Sequence, residues 1–281
     1  MNKKEEFTKE EIAAFTPDEK VGLVATVNPE GLPHITLITS LQALDAAHMS
    51  FGEFSHGLSK SHVQNNPHVG FLLMTLDKSM WRGKALWTHR ATEGPEYEMY
   101  NEKPMFRYNT YFGINTVHYM DLVETTPREP LPMGKIILSS LATKAVKGAA
   151  AMKHPAPVLK PLAQDIFSML DSLKFIAYID NNGFPDIIPV IQCQAADSGR
   201  LVFSTIAYGD ELSAIPAHSM VALYALTMQM ENVLVRGTFS GLKRTRGFTL
   251  GSVDISWVYN SMPPAHGQVY PELPLEAVLD F

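Results

Sequence analysis

Apolar positions along this chain fall mostly into short runs of β period, separated by turn residues, with few stretches of helical period. Residues 21–27 are rich in β-branched side chains and stop at Asn28-Pro29-Glu30-Gly31, a strong turn signal, before residues 34–41 rise again as a second strand. Residues 49–54, 69–76, 80–89 and 114–123 read as four further strands. Residues 8–15 have the spacing of a short amphipathic helix, with Thr16-Pro17-Asp18-Glu19 opening another turn. Residues 59–65 form a polar helix stopped by Pro67, and residues 93–106 a further helix. Short strands interleaved with short helices in this order predict a small Greek-key barrel.

The same order then returns. Shifted by 152 positions, Gly31-Leu32-Pro33-His34-Ile35 meets Gly183-Phe184-Pro185-Asp186-Ile187, and residues 25–75 align with 177–227 without a gap. Twelve of these 51 pairs are identical, among them Gln42/Gln194, Asp45/Asp197, Phe51/Phe203, Gly57/Gly209 and Ser61/Ser213. Unrelated sequence would give about 3 at ordinary residue frequencies. With two residues of slippage Arg82-Gly83-Lys84-Ala85 meets Arg236-Gly237-Thr238-Phe239, and residues 113–119 resemble 251–257. A period this long exceeds the units of solenoids and indicates a duplicated domain. The second copy, 173–258, lacks the 93–106 segment. Between the copies, residues 127–161 mix Pro-rich stretches with an Ala-rich segment, 136–152, expected to be helical and ordered, because Ile136, Ile137, Leu138 and Leu141 would otherwise be exposed. The expected division is 1–133, a connector 134–171, and 172–281.

Length and composition fit this plan. The chain has 281 residues, 46% of them hydrophobic, enough for two packed cores. Its net charge of -6 argues against a dedicated nucleic-acid binder, which needs a basic surface. The single cysteine, Cys193, excludes an internal disulfide and a cysteine-based zinc cluster; on an apolar strand it reads as a small buried hydrophobe. Residues 1–11 are charged, with no apolar run of signal-peptide length, and no stretch approaches about 18 uninterrupted apolar residues, so no membrane is expected as a partner and the expected compartment is the cytoplasm.

The candidate chemistry concentrates in residues 55–69. Ser59 or Ser61 can open a helix whose free N–H groups point at an anion, Lys60 adds a positive charge in the same turn, and Gly57 permits close approach. An ordinary capped surface helix would look similar locally. The internal comparison separates the two readings, since the second copy replaces Ser59-Lys60 by Glu211-Leu212, and an acid cannot favour an anion. His48, His56, His62 and His68 match no zinc-enzyme spacing, so no metal site is expected. Trp81, Trp87, Tyr111, Phe112, His118 and Tyr119 are candidates to stack on a planar ligand, although strand aromatics ordinarily belong to a core. Rossmann, phosphate-binding-loop and nucleophile-elbow motifs are all missing from the sequence.

Strand, hairpin, strand, strand, basic short helix, then Asn65-Asn66-Pro67-His68-Val69 and another strand resembles the FMN-binding split barrel of the pyridoxamine 5'-phosphate oxidase superfamily over residues 21–123, and more weakly over 173–258. The resemblance implies FMN between two barrels, its phosphate on basic and hydroxyl side chains: His34 and Thr39 of the second strand, Ser59, Lys60 and Ser61 of the helix. The Gly83-Lys84-Ala85 step and residues 79–82 before it, with Trp81 and Arg82, would lie along the ring, Arg82 supplying positive charge. Departures exist. The basic pair of true pyridoxamine phosphate oxidases is replaced here by His34 and Thr39, and the C-terminal Trp and Arg substrate motif has no counterpart in the acidic, Pro-rich residues 263–281, which disfavours vitamin B6 oxidation.

The expectation is therefore a mainly β protein with peripheral helices: two tandem split β-barrels of Greek-key type, paired within one chain as a pseudo-dimer, with further homodimerisation left open. The expected activity is that of an FMN-dependent oxidoreductase on a small molecule, with no catalytic side chain singled out. The alternative is a non-catalytic module holding flavin, deazaflavin or haem.

Overall fold

A computed structural model describes residues 3–54, 57–107, 113–260, 267–271 and 273. The chain divides into two compact units, one running to Leu131 and including Asn181–Ile187, the other holding Pro132–Asp180 and the chain from Ile188 onward. Each is built on an eight-stranded antiparallel sheet, and the protein is mainly β with peripheral helices, two tandem split-barrel domains.

The first unit runs α1 (Lys9–Phe15), β1 (Lys20–Val27), β2 (Pro33–Leu37), β3 (Gln42–Ala43), β4 (His48–Glu53), α2 (Leu58–Asn65), β5 (His68–Thr75), β6 (Ser79–Ala91), α3 (Pro95–Glu102), β7 (Thr116–Thr125) and β8 (Glu129–Pro130). Its sheet order is β2-β1-β5-β6-β7-β4-β3, with β8 on β6. β1 and β5 are buried along almost their whole length, which is why their sequences read as continuous apolar runs. Phe15, Val24, Phe51, Phe71 and Trp81 meet in the core. α1 starts at a reciprocal cap between Thr8 and Glu11.

The second strand ends earlier than its apolar run suggests. β2 stops at Leu37 because the chain turns there, with the Ile38 N–H donating to the Gly22 carbonyl at 2.7 Å and the Leu41 N–H to the Ile38 carbonyl at 3.1 Å. Gly22 makes this crossing sterically allowed, since a Cβ on it would stand 2.2 Å from the Ile38 oxygen. Thr39 accordingly lies in a turn, not on a strand. The expected 93–106 helix is broken by Pro104 into α3 and a short 3-10 turn, Pro104–Phe106.

The rest of the chain carries α4 (Met133–Val146), α5 (Pro161–Ser168), β9 (Leu173–Ile179), β10 (Pro185–Pro189), β11 (Gln194–Ala195), β12 (Arg200–Ser204), α6 (Gly209–Ser213), β13 (Met220–Leu226), β14 (Asn232–Thr245), β15 (Phe248–Asn260) and β16 (Gly267–Tyr270), all in the second unit except the start of β10, which up to Ile187 is counted with the first. Its order, β10-β9-β13-β14-β15-β12-β11 with β16 on β15, repeats the first sheet strand for strand. Where the first unit carries α3, β14 turns directly into β15 through Arg246 and Gly247, both at positive φ.

Register corrects two of the sequence matches. Val69 pairs with Ala85 and Leu72 with Arg82, while Val221 pairs with Gly237 and Tyr224 with Leu234. The 152-residue shift therefore persists into β14, which makes Lys84 the counterpart of Arg236 and Trp87 that of Phe239. The two-residue slippage that matched Arg82 to Arg236 followed side-chain similarity, not the ladder. Phe51 faces His118 and Phe203 faces Gly251, so His118, not Gly113, corresponds to Gly251. Both ladders break at the same place, between Lys84 and Ala85 and between Arg236 and Gly237.

α4 packs on β12, the Ser139 hydroxyl donating to the Ser204 carbonyl at 3.1 Å and the Thr143 hydroxyl accepting the Ser204 N–H at 2.9 Å. Ile136 is buried, but Ile137, Leu138 and Leu141 are each 55% exposed, so this helix does not cover the apolar residues whose burial was expected. Among the described residues no helix is long and apolar enough to cross a membrane.

Candidate functional site

The Ser59–Lys60 turn lies at the start of α2, just past the end of β4. Its cap is Gly57, extended at φ -130 and ψ 170, with no side-chain hydrogen bond to the first turn. Lys60 is half-buried, and its Nζ lies 3.7 Å from where a Cβ on Gly57 would stand, so the ammonium folds back over the helix start. Burial pushes the Lys60 pKa below that of an ordinary lysine, while the charge of Glu53 pulls it back up. The Ser59 hydroxyl is buried with no hydrogen-bond partner among the described residues. A buried hydroxyl left in this state is costly and marks a place where an acceptor is wanted.

His34 joins this cluster through α2. Its ring stands edge-on to His62, centroids 5.1 Å apart, and His62 Nδ1 is 3.0 Å from the Thr26 hydroxyl. The strand positions of Thr26 and His34 are directly paired, which is what sets both side chains beside the helix. Ser61 is half-buried on the same turn. Ser55 and His56 of this loop lie outside the described residues, as do Tyr111, Phe112 and most of 263–281.

The ring-side candidates are placed differently. Trp81 is core: its indole N–H donates to Glu11 at 3.0 Å and its ring meets Phe15 edge-on at 4.9 Å. It also lines an open cavity of about 820 Å³ with Glu10, Asp18, Leu76, Met105 and Arg128, and none of His34, Thr39, Ser59, Lys60 or Ser61 lines that cavity. Arg82, 3% exposed, directs its guanidinium to Glu129 at 2.9 Å and to the Ile187 carbonyl at 3.4 Å. The charge expected to act along a ring is thus held by a carboxylate. Lys84 is likewise paired with Glu124, at 2.9 Å.

The aromatic candidates are also engaged within the protein. His89 stacks on Tyr119 at 4.4 Å, and His118 on Phe51 at 4.7 Å. His48 is bound by Asp45 at 2.8 Å, and His68 stacks on Phe184 at 4.1 Å.

One group escaped sequence reasoning. Glu53 is buried and accepts from His118 Nε2 at 2.7 Å, and His118 Nδ1 accepts from the Trp87 indole N–H at 3.1 Å. An indole can only donate, so His118 carries its proton on Nε2 and Glu53 is the acceptor. The available signal was the run Met49, Phe51, Glu53, which sets an acid on the inward face of a strand whose other inward residues are apolar.

No family model matches the chain, and no curated protein matches it in sequence. Among solved structures it is similar to an FMN-binding protein from Syntrophomonas wolfei subsp. wolfei, at 13% identity over 42% of this chain and 84% of that one, TM-score 0.37. It is also similar to HupZ of Group A Streptococcus, at 18% identity over 42% of this chain and 91% of that one, TM-score 0.36. An F420 reductase matches at 13% identity over 43% of this chain and 98% of that one, TM-score 0.36.

Proposed function

We propose that the protein arose by tandem duplication and is an FMN-dependent oxidoreductase whose first unit binds the flavin phosphate at the start of α2. The observation that supports this is the Ser59 hydroxyl, buried without a described partner beside the Lys60 ammonium and the uncapped first turn. A phosphate oxygen satisfies all three at once: it accepts from the hydroxyl, from backbone N–H groups and from a charged lysine. His34 and Ser61 border the same turn and join the binding set, and Thr39 follows on the turn after β2.

Bound flavin would supply hydride transfer. The chain's own task is to hold the phosphate and to orient the ring, a kind of catalysis that depends on positioning more than on a titrating side chain. The second unit keeps the same strand order but places Leu212, fully buried, where Lys60 stands, with Asp210 and Glu211 in the same turn. This turn therefore offers an anion two acids and no lysine.

The test is the visible spectrum of the purified protein followed by titration with FMN, riboflavin and haem. Flavin absorption, or FMN binding much tighter than riboflavin binding, supports the proposal. A Soret band assigns the site to haem, and a colourless protein that ignores FMN overturns the reading.

A further inference from the structure

Two helices from different parts of the chain cover equivalent strands, β3 and β4 in the first unit and β11 and β12 in the second, and they are amphipathic in opposite senses. In the first unit the Gln42 side-chain N–H donates to Met99 Sδ of α3 at 3.2 Å, and the Tyr100 hydroxyl is 2.8 Å from that of Ser50 on β4. α3 turns Tyr97, Met99 and Tyr100 toward the apolar cluster of Phe106, Ile114 and Val117 and leaves Glu98 and Glu102 exposed. That is the ordinary sense for a surface helix.

In the second unit Gln194, at the position of Gln42, donates to the Ser140 carbonyl of α4 at 3.4 Å. Here the helix is inverted. Ser139 and Thr143 are buried, their hydroxyls engaged by the Ser204 backbone, while Met133, Ile137, Leu138 and Leu141 are exposed on one face at i, i+4, i+5 and i+8. The needs of the Ser204 backbone explain the hydroxyls beneath. They do not explain four large aliphatic side chains above.

The charge around this face is as one-sided as its hydropathy. Residues 130–164 hold Lys135, Lys144, Lys147, Lys153 and Lys160 and no acid, so the rest of a chain of net charge -6 carries -11. None of the five forms an ion pair among the described residues, and Lys135 and Lys144 are exposed on α4 itself. Partial burial and then the charge of Lys144 hold the Lys147 pKa below that of an ordinary lysine, a crowding that a nearby anion relieves.

We infer that this face of α4 binds an anionic phospholipid surface, its four aliphatic side chains entering the headgroup boundary and the lysines meeting lipid phosphates. A helix of 14 residues is too short to span a bilayer, and its buried hydroxyl face stays on the protein, so only the outer half enters. This departs from the expectation that no membrane is a partner, which rested on spanning and signal segments alone. The inference is independent of the flavin reading. A second copy of the chain fits the face poorly, because a symmetric pairing would set two lysine-rich segments against each other. Protein interfaces favour Tyr, Trp and Arg over Lys, and residues 130–164 contain no Phe, Tyr, Trp or Arg.

The test is co-sedimentation of the full chain with vesicles of phosphatidylcholine alone and of phosphatidylcholine mixed equally with phosphatidylglycerol. The wild type should bind the mixed vesicles well above the neutral ones, and binding should fall as salt rises. Ile137→Ser combined with Leu141→Ser should weaken that binding roughly tenfold. Lys135→Gln and Lys144→Gln should each weaken it about fivefold. All four positions are exposed, so the urea midpoints should match the wild type, which keeps a loss of binding distinct from a loss of fold. Equal binding to both vesicles, no binding to either, or mixed-vesicle binding that all the variants retain overturns the inference. So does sedimentation velocity showing a wild-type dimer that the double serine variant converts to monomer, which would give the face to a second copy.

Discussion

Phe203 lies so close over Gly251 that a Cβ on Gly251 would stand 2.4 Å from its ring, while in the other sheet Phe51 stacks flat on His118 at 4.7 Å. The same pair of ladder positions is solved once by a large ring over no side chain and once by two rings in parallel. Gly251→Ala should therefore overpack the second unit and cost about 1–3 kcal/mol, read as a lower urea midpoint with unchanged slope. FMN affinity should not move.

Ser59→Ala separates binding from folding. The hydroxyl is buried without a described partner, so removing it should leave the ligand-free protein as stable or up to about 1 kcal/mol more stable. The same change should weaken FMN binding by about 1 kcal/mol. Thermal melts with and without FMN check both signs, and a loss of stability without FMN would show that the hydroxyl has a partner.

Lys60→Ala should weaken FMN binding by about 10- to 150-fold, the worth of a charge-assisted contact of about 1.5–3 kcal/mol. Leu212→Ala, at the equivalent place in the second unit, should leave FMN affinity unchanged and cost about 2–5 kcal/mol of stability, since Leu212 is fully buried. Fluorescence quenching of FMN by the variants measures the first effect and urea denaturation the second.

Lys174 predicts a pH dependence. Burial lowers its pKa from 10.5 to about 8, with the charges of Cys193 and Asp171 opposing, and its ammonium donates to the Met169 and Ile191 carbonyls. Between those two values the unfolded chain keeps the proton that the folded chain has lost, so stability rises with pH. Relative to Lys174→Met, the wild type should gain on the order of 3 kcal/mol as pH climbs from about 8 to about 10.5, with no relative change below about 8. Urea midpoints of both proteins across that range decide it.

Cys193 is fully buried, and burial pushes its thiol up to about 12, with the Lys174 charge opposing. The folded protein should then be inert to a thiol reagent at neutral pH and react only on unfolding, a rate followed by release of the reagent's chromophore.

The sequence by itself determined the repeated strand order, most strand positions and the internal contrast at Lys60. Those are local or near-local properties: β-branched runs, turn residues and a gapless stretch that carries its register with it. The same alignment failed from Arg82 onward, because a two-residue slip that improved side-chain identity was chosen over the register that backbone pairing imposes. Only tertiary structure decided that Thr39 leaves the strand, since that depends on Gly22 admitting the Ile38 carbonyl from another strand. It alone decided that Trp81 is core and that Arg82 is held by Glu129, because a side chain's partner is set by which element packs against its face. The chain from Trp87 through His118 to Glu53 draws on three strands far apart in sequence, and no local pattern encodes a contact that exists only once the sheet has closed around it.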